Sequence, residues 1–156
     1  LFIEKGAEVE IIGFALTLTF IGGATGKFLC GMLAERIGII RTVILTEAIT
    51  GFGILALLPL SLYWAMALLP LIGMGLNGTS SVLYGTVSDF VKPERRARGF
   101  GLFYTLSVGG SALAPLMFGI LSDFSSVTFT LIVVSLLTLT TIPICKFLLK
   151  PLIGAK

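Results

Sequence analysis

Residues 42–88 read TVILTEAITGFGILALLPLSLYWAMALLPLIGMGLNGTSSVLYGTVS, 47 positions in which Glu47 is the one charge. The hydrocarbon core of a bilayer is about 30 Å thick, so one crossing helix takes roughly 20 apolar residues. A run of 47 is too long for one such helix and fits two. The stretch Pro59-Leu60-Ser61-Leu62-Tyr63-Trp64 supplies the hairpin between them. Its proline removes a backbone donor, and Tyr63 and Trp64 suit the headgroup layer. The stretch therefore predicts a membrane helical hairpin, and the rest of the chain repeats the pattern.

Ile11 to Ala34 holds a single charge, Lys27, in 24 residues; Gly99–Ser122 and Phe124–Cys145 hold none in 24 and 22. Five spans follow, at about 11–34, 42–59, 64–89, 99–121 and 126–148. The period-two alternation of a membrane β-barrel is absent, and in lipid a helix satisfies its own backbone groups, so an all-α membrane fold is expected. Composition agrees. Only 12% of the 156 residues are charged, 56% are hydrophobic, and the mean hydropathy is +1.07. A soluble domain of this length has too much surface to cover with so few charges. The absence of histidine excludes His-ligated metal sites and Ser-His-Asp or Cys-His nucleophile systems. Cys30 and Cys145 are too few for a disulfide framework. No cofactor and no metal site is expected. The chain opens Leu1-Phe2-Ile3-Glu4, with neither a methionine nor a secretory leader, and is read as a piece of a longer chain.

Hairpin-connected spans place their connections on alternating sides. One side receives Arg36, Arg41, Lys92, Arg95, Arg96, Arg98, Lys146, Lys150 and Lys156; the other receives Lys5 with Glu4, Glu8, Glu10 and Asp123. Nine of eleven bases share a face, which the positive-inside rule makes cytoplasmic. The N-terminus is then outside and the C-terminus inside a cell (inner or plasma) membrane. The run Lys92-Pro-Glu-Arg-Arg-Ala-Arg98, flanked by spans, is read as a topogenic loop near anionic headgroups and not as a nucleic-acid patch.

Helices in lipid associate through close backbone approach at small residues. Stripes of such residues run along the first span (Gly22, Gly26, Cys30, Ala34), the third (Gly78, Ser81, Gly85, Ser88) and the fourth (Gly101, Thr105, Gly109), predicting a tightly packed bundle. The fifth span has no glycine and reads as a lipid-facing outer helix, with a kink expected at Pro143. Lys27 lies eight residues from Glu35, about 12 Å along the helix, and Glu47 lies six from Arg41, about 9 Å. An uncompensated charge at the bilayer centre costs about 3 kcal/mol or more. Two arrangements answer that cost: an ion pair between Lys27 and Glu47, or a snorkelling Lys27 with Glu47 protonated or hydrogen-bonded locally. Asn77, Ser81 and Tyr84 bring polar atoms to the third span, either to line a cavity or to bond between helices.

Two stretches together resemble the major facilitator superfamily over essentially the whole chain. Gly31-Met-Leu-Ala-Glu35-Arg36-Ile-Gly38-Ile-Ile-Arg41 resembles that family's motif between its second and third, or eighth and ninth, helices. Glu35 stands where the family usually has Asp, and Ile39 and Ile40 stand where bases are usual. Asp89-Phe-Val-Lys-Pro-Glu-Arg-Arg-Ala-Arg98-Gly-Phe-Gly101, followed by Gly110 to Asp123, resembles the tenth and eleventh helices with their cytoplasmic loop. In the family's first half the fourth helix usually carries an embedded arginine before its glycines, and Leu69-Pro-Leu-Ile-Gly-Met-Gly75 has none. The five spans are therefore placed as helices 8 to 12 of a twelve-helix bundle, with the N-terminal half of the same chain lying upstream; helices 2 to 6 are the alternative register.

The resemblance implies secondary transport of a small solute by alternating access, with proton-coupled efflux as one mode. It implies a cytoplasmic latch built from Gly31, Glu35, Arg36, Gly38, Arg41 and Asp89, and a cavity lined in part by Asn77, Ser81 and Tyr84. The implied partners are a small-molecule substrate, protons and the lipid bilayer, with no nucleic acid. An intramembrane enzyme is the rival class, but histidine is absent and Asp89 and Asp123 fall at opposite faces. A non-transporting scaffold would explain the small-residue stripes but not the glycine-acid-base-glycine turn on the basic side.

Overall fold

The computed structural model describes the backbone of residues 1–153 and the side chains of residues 1–88 and 91–146. Five helices follow one another: α1 (Val9–Ile37), α2 (Ile39–Leu57), α3 (Leu62–Phe90), α4 (Arg96–Phe124) and α5 (Val127–Ile153). One 3-10 turn, Pro93–Arg95, precedes α4, and no strand occurs among the described residues. All five helices are long and apolar enough to cross a membrane. At 29 residues, α1, α3 and α4 each extend about 43 Å and so reach beyond the hydrocarbon; α2, at 19, extends about 28 Å.

Short connections force the hairpin series. A single residue, Gly38, separates α1 from α2, and its backbone stands at φ 91°, ψ 150°. That region is open essentially to glycine alone. The turn closes with hydrogen bonds from Gly38 N to Ala34 O and from Thr42 N to Gly38 O, at 3.0 and 3.1 Å. At the opposite end α2 stops at Leu57, two residues short of the apolar run, and the Lys5 ammonium donates to the carbonyls of Leu58 (2.9 Å) and Leu60. A cation there offsets the negative end of the α2 dipole. Tyr63 and Trp64 follow, both exposed, with their rings edge to face at 5.5 Å.

The packed core has three levels. At the end that carries the turn between α2 and α3, Ala15, Leu57, Ala65, Leu69 and Ile72 form an apolar cluster that Leu1 and Phe2 cover from the N-terminal segment. At the other end Cys30, Val43 and Val82 cluster with Cys145 against them. Between the two the interior is polar and small. The largest side chains with almost no exposure are Thr42, Thr46 and Ser135. Thr42, Thr46 and Thr50 form a ladder along α2, each donating to the carbonyl four residues back. Lipid tails are as apolar as leucine, so close fit and interhelical hydrogen bonds hold such a core.

Close fit is most extreme between α1 and α3. A Cβ added at Gly22 would strike the Pro70 backbone, one at Gly26 the Met74 backbone, and one at Gly73 the Thr19 backbone. Cys30 fills the space above Gly78. The first small-residue stripe is thus a true helix seam. The fourth is not: α4 has no buried residue, and Gly101, Gly109, Gly110 and Gly119 face open space. The sequence pattern is the same in both helices; only one has a neighbour pressed on it here. The fifth span, largely exposed, packs one face on the bundle. α5 buries Thr130 and Ser135, and the Ser135 hydroxyl donates to Gly51 O of α2 at 2.7 Å. It runs as one continuous helix through Pro143.

Candidate functional site

The glycine-acid-base-glycine segment occupies the end of α1 and the start of α2. Gly38 makes the turn; Glu35, Arg36 and Arg41 stand exposed around it. Gly31 and Glu35 line a groove of about 250 Å³ whose opposite wall is Ser81, Val82 and Gly85 of α3. The structure therefore brings Gly31 and Glu35, two of the residues expected in a latch, and one of the polar α3 residues to the same opening. Arg36 lines a second, shallow groove with Leu29, Met32 and Leu33 on the other side of α1. The Asp89 side chain lies outside the described residues. Among the described residues no ion pair joins two side chains, so neither Arg36 nor Arg41 pairs with a described carboxylate. Across the same end, the Arg96 guanidinium donates to Ser88 O at 3.4 Å, near the C-terminus of α3. There a cation meets both an unfilled carbonyl and the negative end of the helix dipole.

The three polar residues of α3 point to different neighbours. Asn77 turns to α1, where its amide closes over Gly23, and donates back to Gly73 O at 3.3 Å. Ser81 opens into the groove just described. Tyr84 packs toward α4, edge to face with Phe103 at 5.1 Å and tilted on Tyr104 at 6.3 Å. All three are half-buried, so this stretch of α3 presents a partly open polar stripe between α1 and α4.

Lys27 and Glu47 are not brought together. Lys27 is exposed on α1, while half-buried Glu47 accepts a hydrogen bond from Thr141 of α5 at 3.3 Å and faces the Thr79 hydroxyl of α3. Neither arrangement read from the sequence describes Glu47: no ion pair joins it to Lys27, and its hydrogen bond comes from another helix. Thr79 in turn donates to Thr46 at 2.7 Å, so one hydroxyl network joins α2, α3 and α5. Sequence reasoning passed over this network. The signal was present as threonines at steps of four, 42, 46 and 50, on the helix that carries the carboxylate.

Comparison with known proteins follows the same lines. The family model described as Major Facilitator Superfamily matches residues 2–153. NiaP of Bacillus subtilis (strain 168), a protein named for niacin/nicotinamide transport, is 35% identical over 127 residues, 80% of this chain and 32% of its own length. YhjX of Escherichia coli (strain K12), named as an uncharacterized MFS-type transporter, is 31% identical over 102 residues, 63% of this chain and 25% of its own. The chain thus spans a third or less of the length of these curated relatives. No solved structure matches it significantly.

Proposed function

Because this chain belongs to the Major Facilitator Superfamily, a family of multi-pass membrane transporters, we propose that it is the C-terminal part of a secondary transporter that moves a small solute by alternating access. The observation that carries the reading is the family match over nearly the whole chain. The five helices take positions 8 to 12, and a further helix with the N-terminal half of the same chain lies upstream. Two features support further helices beyond these five. The chain covers 32% and 25% of its relatives, and α4 carries glycines facing open space where an additional helix would close the bundle. Nine bases on one face support a cytoplasmic C-terminus in the cell membrane.

In this reading α1 and α3 move as one body. Backbone-to-backbone contact at Gly22, Gly26 and Gly73 leaves no room for sliding. Rocking is then rigid-body motion of the half, controlled at its cytoplasmic end. Gly31, Glu35, Arg36, Gly38, Arg41 and Asp89 form the latch, and Asn77, Ser81 and Tyr84 line the solute path. The relative named for niacin/nicotinamide transport makes a pyridine carboxylate or carboxamide the first solute to test. Flux direction under an imposed pH gradient separates proton-coupled efflux from uptake. The latch is tested by Asp89→Asn in the full-length protein, which lowers the transport rate and leaves membrane insertion intact. Unchanged flux at normal expression would remove that assignment.

A further inference from the structure

Glu47 is the ninth of nineteen residues in α2, at the middle of a helix that matches the hydrocarbon thickness. Its carboxyl is met by hydroxyls from two other helices, Thr141 of α5 and Thr79 of α3, and by no ion-pairing cation among the described residues. Among the described residues the one titratable group facing it is the free thiol of Cys145 on α5, and α3 presents a hydroxyl.

Each of these hydroxyls has one proton and more than one acceptor in reach. Thr141 can donate to Glu47 Oε2 at 3.3 Å or to Thr138 O at 2.6 Å. Thr79 faces the carboxyl, and can also donate to Thr46 Oγ1 at 2.7 Å or to Gly75 O at 3.1 Å. The cage therefore serves both charge states. Around a carboxylate the hydroxyls donate inward. Around a carboxylic acid they turn to their own carbonyls and offer lone pairs to the acid O–H. Neither state strands a buried polar atom.

We propose that Glu47 is a proton-binding site that loads and releases one proton at the junction of α2, α3 and α5. On loading, a carboxylate oxygen forms an O–H bond with a proton from hydronium, leaving water, and Thr141 rotates its hydroxyl to Thr138 O; release is the reverse. Thr79 lies on the same helix as Asn77, Ser81 and Tyr84, so the proton on Glu47 alters a contact of the helix assigned to the solute path. That link rests on the transporter reading; the proton binding does not.

The test is pH-titrated difference infrared spectroscopy of the full-length protein in detergent, alongside flux in vesicles from the same preparation. A carboxylic C=O band that grows as pH falls is expected in the wild type, lost in Glu47→Gln and shifted in frequency by Thr141→Val, which keeps the acid and removes a hydroxyl that accepts its O–H. If Glu47→Gln does not fold, Glu47→Asp shifts the same band. A band unchanged in these variants, or no titrating band in the wild type, overturns the proposal. Flux without the Glu47 band removes the proton site and keeps the transporter; the band without flux does the opposite.

Discussion

Helices α3 and α4 make an informative pair. Each has 29 residues, each contains one internal proline, and each is rich in glycine. Gly73, Gly75 and Gly78 of α3 are pressed against the backbone or side chains of α1 and α2, so a side chain at any of them would collide. Gly101, Gly109, Gly110 and Gly119 of α4 meet nothing within 4 Å. α4 meets α3 near its start, where Gly99 rests on Val91 and Phe103 meets Tyr84, and it also touches α5. Small-residue periodicity therefore says which face of a membrane helix can be approached closely. It does not say whether the approaching helix belongs to the same stretch of chain.

Substitutions can break this comparison, and the largest effect belongs to the seam. Gly26→Leu forces its side chain into the Met74 backbone and should cost about 3 kcal/mol or more, seen as a collapse of the thermal unfolding midpoint in detergent. Gly109→Leu in the same 156-residue chain should cost less than about 0.5 kcal/mol, a size usual for open surface sites. A clearly larger cost for Gly109→Leu in the full-length protein would show that another helix covers α4 there. A second test isolates backbone from packing. Gly38→Ala meets no atom within 4 Å, yet its φ of 91° should cost about 1–3 kcal/mol of strain, read by the same melt. Ser135→Ala removes the hydroxyl bond to Gly51 and should cost about 0.6–1.7 kcal/mol, the range of interhelical hydrogen bonds in membranes. Smallest is Arg96→Gln, which loses an exposed guanidinium at the end of α3 and should cost about 0.5 kcal/mol, falling as salt is added.

Most of the architecture was legible because charge is so costly in lipid that it marks helix ends. Glu35, Arg36 and Arg41 bracket the Gly38 turn, and Lys92 to Arg98 bracket the second turn on that side. The motif at 31–41 was legible for a related reason, since a one-residue connection at positive φ demands glycine. Azimuth was harder. Spacing along α1 and α2 gives Lys27 and Glu47 similar depth, but depth leaves the direction around each helix open. Lys27 turns outward and Glu47 toward α5. The threonine ladder was missed because Thr42, Thr46 and Thr50 read as ordinary span residues until packing left them buried. The bare face of α4 could not be read at all, because whether a neighbour packs on a face is not encoded in that face.

The transport of a small solute proposed above can be measured directly. Purified full-length protein in proteoliposomes, given labelled nicotinate, nicotinamide and a panel of small solutes, tests it directly. Saturable flux of at least one of them above protein-free vesicles, reduced by Asp89→Asn, is the expected result. Folded, inserted protein that moves none of the panel, and binds none, would contradict it.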